Sequence, residues 1–251
     1  MPYDTTEHYE RLAREYDGNW DHSPQYVAWM AQRIAEDVRV TPGERMVDIG
    51  SGTGLFLREV VKNATAQTPI MCVDPFQHML DQLPDDPRLT PVCATAEDIA
   101  TRRVELPYDT YDVIAFKEAI HHVEDIPATL AALADRLRPG GRVHIVTLPP
   151  HLDYPIFQAA RDRFAENQPE PDDIAQSMRD AGLKVDMAYH GLSITVDREH
   201  YIELVRRRWM SVLSTFSEDE IEAGIGEIRS SYPQPEVTYT NHFAFILGLR
   251  E

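Results

Sequence analysis

Positive charge is what this sequence has least of. Lys and Arg total 24 against 42 Asp and Glu, a formal net charge of −18 over 251 residues. So acidic a surface repels phosphate backbones and anionic lipid headgroups, which disfavours nucleic acid and membranes as partners. Cysteine is nearly absent too. Cys72 and Cys93 lie in apolar, strand-like runs, so reduced core thiols in a cytoplasmic protein are expected, not a disulfide scaffold or a thiolate zinc site. No apolar run approaches the roughly 20 residues of a membrane span. The opening MPYDTTEHYE is polar and acidic, so no secretory signal is expected. Internal repeats and low-complexity tracts are lacking, which sets aside repeat architectures and collagen-like fibres. Core material is plentiful: 43% of residues are apolar, enough for one α/β unit with an insertion rather than two independent domains.

The apolar pattern sets the organisation. Residues 7–16 and 24–38 read as two helices. Ser23-Pro24 fits an N-cap with Pro at N1, and Tyr26, Val27, Met30, Ile34 and Val38 fall near one face. Thr41-Pro42-Gly43 breaks that pattern. Strands at 46–49, 70–73, 89–93, 111–116 and 143–148 then alternate with helices at about 55–63, from Pro75 to about Leu83, and at 126–137. A helix at 172–181 closed by Gly182, a strand at 184–190, helices at 199–213 and 218–229 and a strand at 239–249 complete the chain. This order predicts an α/β, Rossmann-like, mostly parallel seven-stranded sheet with helices on both faces. The expected division is N-terminal helices over the site (1–40), an α/β binding core (41–190), a helical lid insertion (191–236) and the last core strand (237–251).

Between the first strand and the next helix lies Met-Val-Asp-Ile-Gly-Ser-Gly-Thr-Gly (46–54). Gly50, Gly52 and Gly54 permit positive φ and a close approach of backbone to a ligand. A dinucleotide fingerprint, G-x-G-x-x-G, needs glycine at position 55, where Leu55 stands. Asp48 precedes the loop, and Asp74 ends the second strand 26 positions later (74 − 48). A carboxylate there can accept both hydroxyls of a ribose while also capping the helix before Pro75.

Five segments stand in the order and spacing of the class I S-adenosylmethionine-dependent methyltransferases: VDIGSGTG (47–54), CVDPFQHML (72–80), ATAEDIA (94–100), YDVIAFKEAIHHVED (111–125) and LRPGGRVHIVTLP (137–149). The chain resembles that family over roughly 45–149, and EHYERLAREYD (7–17) is similar to its leading helix. The resemblance implies that Gly50, Ser51, Gly52 and Gly54 hold the methionine end of S-adenosylmethionine, that Asp48 orients its amino group through that loop or a water, that Asp74 binds the ribose, and that Pro75 and Met79 line the adenine. Where the family often has Asp after the third strand, Thr95 stands, followed by Ala96, Glu97 and Asp98. The adenine amino contact is therefore open among Thr95, Glu97 and Asp98. Ala96, Lys117 and Tyr16 complete the cofactor-binding candidates, with Tyr16 either closing over the cofactor or packing the N-terminal helix.

Methyl transfer is an in-line displacement, so the acceptor must face the loops after strands four and five. His121 and His122 follow strand four, His151 follows Pro149-Pro150, and His242 lies in the last strand. Taken alone, the adjacent pair reads as packing or cofactor contact. Taken together, His121 or His122 with His151 and His242 predict a divalent metal site, without distinguishing zinc, iron, nickel or manganese. Such a metal would chelate a 2-oxo acid and stabilise its enolate for C-methylation, similar to the 2-oxo acid C-methyltransferases of natural-product biosynthesis. The metal-free alternative is O- or N-methylation with His122 or His151 as general base. A non-methylating binding module or a dinucleotide oxidoreductase on the same fold is the reading of another class. The expected partner is a small-molecule acceptor, bound by a monomer or homodimer. His8, His22, His78, His144, His190 and His200 read as packing or surface residues. Arg206-Arg207-Arg208 before Trp209 reads as a solvated helix face with a core anchor, or else as a lid clamp for a substrate carboxylate, with Arg161 and Arg163 weaker.

Overall fold

The computed structural model describes Gly18 and residues 23–251. The helix expected at 7–16, with Tyr16, His8 and His22, lies outside the described residues.

Helix α1 (Pro24–Val38) forms where the periodicity placed it. The Ser23 side chain accepts from the Tyr26 N–H, Pro24 occupies the first turn, and Tyr26, Val27, Met30, Ala31, Ile34 and Val38 are buried. Arg39 ends the helix in the left-handed region (φ 46°), its N–H returned to the Ala35 carbonyl. Seven strands follow: β1 (Met46–Ile49), β2 (Ile70–Asp74), β3 (Leu89–Cys93), β4 (Tyr111–Lys117), β5 (Leu137–Thr147), β6 (Lys184–Asp197) and β7 (Glu236–Leu249). They form one sheet in the order β3-β2-β1-β4-β5-β7-β6. β1 to β5 run parallel, and β7 is antiparallel to both of its neighbours.

Two apolar cores cover the two faces. On one, α1 packs with Val113, Ala115 and Val146, and the same core runs on into α5 (Gln158–Asn167), α7 (Arg198–Arg206) and α8 (Glu218–Ser231). On the other, α3 (Ala96–Ala100), α4 (Ile126–Ala134) and α6 (Pro171–Asp180) cover Ile114, Phe116 and Ile145. The sheet reverses its winding between β1 and β4, so the loops after these two strands diverge and open a crevice at their carboxyl ends. No helix among the described residues is long and apolar enough to cross a membrane.

Several elements differ from the sequence pattern. The helix expected over 55–63 is two short 3-10 segments, Leu55–Leu57 and Val60–Asn63. Gly54 and Glu59 precede them without a side-chain cap, and β-branched Val60 and Val61 favour extended backbone. The helix after β2, α2 (Gln77–Leu80), is shorter than expected and begins two residues after Pro75. α4 stops at Ala134 and β5 starts at Leu137, because the buried Arg136 guanidinium donates to the carbonyls of Ile99, Tyr108 and Asp109 and pins the turn. Cys72 is buried as expected but Cys93 is exposed, because β3 is the edge strand.

The largest difference is the β6–β7 hairpin. β6 runs past Gly191 to Asp197, so residues 191–197 of the expected insertion are strand. Thr195 meets Thr238 and Ser193 meets Thr240 through hydroxyl hydrogen bonds (2.8 and 2.9 Å), which suit polar residues to this exposed ladder. β5 pairs with β7 only as far as Thr147↔Ala244, so β7 residues 236–243 overhang the carboxyl edge of the parallel strands. Helices α7 and α8 connect the tips of this overhang.

Candidate active site

The glycine loop leaves β1 and turns at once. Gly50, Gly52 and Gly54 have φ of 74°, 54° and 74°. The Gly50 and Ser51 N–H groups donate to the Val73 carbonyl (2.8 and 3.0 Å), and Gly54 N–H closes back on the Ser51 carbonyl (2.9 Å). A Cβ at Gly50 would sit 2.2 Å from the Ala119 Cβ, so the loops after β1 and β4 touch here and only glycine fits. A Cβ at Gly52 would reach within 3.2 Å of the Met79 terminal methyl. The Ser51 hydroxyl is buried with no hydrogen-bond partner among the described residues.

Two carboxylates flank this loop. Asp74 is buried, and its two oxygens accept from the Gly52 and Phe76 N–H groups, both at 2.9 Å. Each oxygen keeps a further lone pair, so the carboxylate organises the loop and can still accept from a diol. Desolvation raises its pKa against the pull of these two bonds. Asp48 is also buried, and desolvation, with the nearby Asp74 charge, pushes its pKa up to about 7. Two desolvated acids beside a glycine loop make a site that favours a cation.

Gly50, Gly52, Asp74, Pro75, Met79, Thr95, Ala96, Glu97, Lys117 and His122 line one cavity of about 190 Å³. Most of the positions expected at the cofactor are thus brought together. Ser51, Gly54 and Asp48 are not among its lining residues. Among the three acidic or hydroxyl candidates after β3, Asp98 is turned away. Its carboxylate accepts from the Thr95 N–H and hydroxyl (3.1 and 3.0 Å), and its own N–H donates to the Thr95 hydroxyl, a capping box that starts α3. Glu97 faces the cavity, one of its oxygens accepting from the Glu124 N–H at 3.0 Å.

The tip of β4 carries the groups that sequence reasoning weighed least. Lys117 points to the α1 face, its ammonium 4.2 Å from the Phe56 ring centre, 5.9 Å from Tyr26 and 6.0 Å from Phe243. Desolvation lowers its pKa, against the opposing charge of Glu118. Glu118 also lines the cavity and was missed as a site residue. Its φ is 53°, a left-handed conformation that costs a non-glycine residue about 1–3 kcal/mol. One carboxylate oxygen accepts from the Leu148 N–H at 2.6 Å, and burial raises its pKa. The available signal was an acid set directly after an apolar strand.

The four histidines do not converge. His122 lines the cofactor-side cavity, and desolvation pushes its pKa down to about 4. His121, its ring centre 4.1 Å away, lines a different cavity with Phe164 and Asn167. His151 is exposed and does not line the cavity of His122. His242 is exposed too, its Nδ1 3.2 Å from the Asp153 carboxylate, because even-numbered residues here face away from Phe243 and Phe245. Among the described residues no His, Cys, Asp and Glu group could hold a metal ion, so the expected metal set does not fit. The arginines serve the fold. Arg206 pairs with Glu203 and Glu222, Arg207 with Glu203, and Arg163 donates to Thr215, while Trp209 is buried. His144 and His190 pack near α1, beside Asp37 and Arg33.

Known proteins share this fold. A family model described as a methyltransferase domain matches residues 21–195, more than half of the chain. A ubiquinone biosynthesis O-methyltransferase of Saccharophagus degradans is 24% identical over 212 residues, covering 77% of this chain and 86% of its own. A demethylmenaquinone methyltransferase of Symbiobacterium thermophilum is 23% identical over 212 residues, covering 70% and 82%. Among solved structures, a protein of Anabaena variabilis assigned as a methyltransferase of an antibiotic biosynthesis pathway superposes with a TM-score of 0.69 at 17% identity, covering 88% of this chain and 96% of that one. At that identity the likeness shows the fold.

Proposed function

The chain belongs to the class I S-adenosylmethionine-dependent methyltransferases, and from that premise we propose how its own residues divide the work on a small-molecule acceptor. S-adenosylmethionine supplies, when bound, an electrophilic methyl on a sulfonium. The residues present fit it. The orphaned Ser51 hydroxyl and the Gly50–Gly54 backbone receive the amino-acid tail, and Asp48 orients its ammonium. Asp74 accepts from the ribose hydroxyls. Pro75, Met79, Thr95, Ala96 and Glu97 enclose the adenine, with Glu97 or Thr95 taking its amino group.

The observation that carries this reading is the joining of a positive-φ glycine loop to Asp74 through the Gly52 N–H. A backbone that needs three glycines, tied to a desolvated carboxylate at the next strand end, supports a cradle for a sugar and a cationic group. The acceptor lies on the α1 face, beneath the β7 overhang, and α7 with α8 is read as its cover. The names of the quinone-biosynthesis relatives support a ring-bearing acceptor. Metal-assisted C-methylation of a 2-oxo acid loses its support, since it rested on converging histidines.

Calorimetry of the purified chain with S-adenosylmethionine, S-adenosylhomocysteine and NAD tests this assignment. Binding of the first two and not the third is expected. NAD binding without S-adenosylmethionine binding would return the chain to a dinucleotide function.

A further inference from the structure

We propose that the cavity at the end of α5, walled off from the cofactor's cavity by the His121-His122 turn, binds a small organic cation: an alkyl- or aryl-ammonium or an amidinium with several N–H groups. Such a ligand is additional to the methyl donor, and its site stands whether or not the methyltransferase reading does.

The cavity measures about 320 Å³ and lies between the first turn of α4, the last turn of α5 and the 3-10 segment Ser211–Thr215. That volume suits a ligand of small-metabolite size. Val123 lines both this cavity and the cofactor's. The rings of His121 and His122, their centres 4.1 Å apart, line one cavity each. The two chambers are therefore neighbours with separate walls.

The wall at the end of α5 offers lone pairs and few donors. The Gln168 side chain lines it and is only 7% exposed. Its amide nitrogen is committed inward, to the Thr147 hydroxyl (2.9 Å) and the Leu148 carbonyl (2.8 Å). Asn167 behaves alike, donating its amide nitrogen to the Arg163 carbonyl at 2.7 Å. A carbonyl partner fixes which end of each amide is nitrogen. Both amides therefore keep an oxygen that takes no hydrogen bond among the described residues, and each needs a donor from whatever fills the cavity.

Charge points the same way. Glu124 and Glu166 line the cavity, and their carboxylates form no ion pair among the described residues. No Lys or Arg among the described residues lines it. Arg163, one turn back along α5, is turned to the Thr215 carbonyl and hydroxyl (3.1 and 2.8 Å). α5 ends here with no basic residue in its last turn to oppose the partial negative charge of its final carbonyls. His121 adds a neutral ring, since burial holds its pKa well below the usual value, and its Nδ1 has no partner among the described residues.

Other occupants match less of this wall. An anion meets two carboxylates and no countercharge. A metal ion meets no suitable cluster of His, Cys, Asp and Glu among the described residues. A purely apolar ligand leaves the two amide oxygens without donors. An organic cation meets every feature: its N–H groups reach the amide oxygens, its charge is balanced by Glu124 and Glu166, and its hydrocarbon part lies on Phe164 and Ile126.

The test uses the full chain, with and without saturating S-adenosylhomocysteine. Benzamidine, its neutral isostere benzamide and the anion benzoate are titrated by calorimetry. Benzamidine is expected to bind once per chain, about tenfold more tightly than benzamide and equally well in both states, while benzoate does not bind. Joint Glu124→Gln and Glu166→Gln substitution should weaken benzamidine about tenfold and leave S-adenosylhomocysteine affinity within about twofold. Both side chains are exposed, so the fold is kept. Glu105→Gln removes an exposed acid outside the cavity; it controls for the net charge of −18 and should leave benzamidine binding unchanged. No benzamidine binding, binding no tighter than that of benzamide, displacement by S-adenosylhomocysteine, full affinity in the double variant, or an equal loss in Glu105→Gln would each overturn the proposal.

Discussion

At the β1–β2 end of the cleft, the wall is a glycine backbone tied to Asp74. At the β4 end the lining groups are side chains: the Lys117 ammonium among rings, the Glu118 carboxylate and the His122 imidazole. The first end is set by φ angles that glycine alone tolerates well, and its register is fixed by parallel pairing to β2. The second stands at the tip of β4, where each side chain is placed by packing. A shared donor can be met by backbone geometry that stays put. An acceptor must be met by side chains, which change without moving the sheet. A mutation should therefore cost fold and cofactor together at one end, and turnover alone at the other.

Gly50→Ala gives the largest expected effect. Its Cβ would overlap that of Ala119, and φ is 74°, so a loss of about 3 kcal/mol or more is expected, with cofactor binding abolished. Thermal scanning and calorimetry read both; wild-type affinity in this variant would break the contrast between the two ends. Asp74→Ala comes next. Losing the charged partner of the ribose lowers cofactor affinity about 100-fold, with a smaller loss of stability from the freed Gly52 and Phe76 N–H groups. Retained affinity would remove the ribose assignment.

Asp48 sharpens the comparison by separating fold from binding. Its pKa is raised to about 7 in the folded chain, so its contribution to stability is present below the usual carboxylate range and lost as pH climbs through about 7. Asp48→Asn should then raise the thermal midpoint at pH 8 and change it little at pH 4, while weakening cofactor binding. In the wild type, affinity for S-adenosylmethionine should fall as pH drops below about 7, because protonated Asp48 no longer attracts the ammonium. A flat pH dependence would exclude that contact. The smallest effect belongs to His151→Ala. His151 is exposed away from the cavity, so turnover within about twofold of wild type is expected, and a large loss would bring it back to the acceptor.

Sequence and structure agree best where the signal is local. The Ser23-Pro24 cap, the bounds of α1, β1 and β3, and the glycine loop were legible because each depends on neighbours a few residues away. Asp98 misled because a capping box and an adenine contact look alike in one dimension. The histidines misled for a related reason: strand alternation decides which face His242 takes, and the β6–β7 register decides the alternation. Glu118 escaped notice because its backbone strain arises from Ala119 meeting Gly50, a contact 69 positions apart (119 − 50).

The sequence by itself determined the βα order, the glycine turn, the acid ending β2 and hence the family, since these follow from short-range backbone preference and spacing. Only tertiary structure decided the overhang of β7, the rings around Lys117, the placing of His121 and His122 in different cavities and the exposure of Glu118 to the cleft. Those depend on which side chains distant in sequence come into van der Waals contact, and that outcome is settled by the packing of the whole sheet.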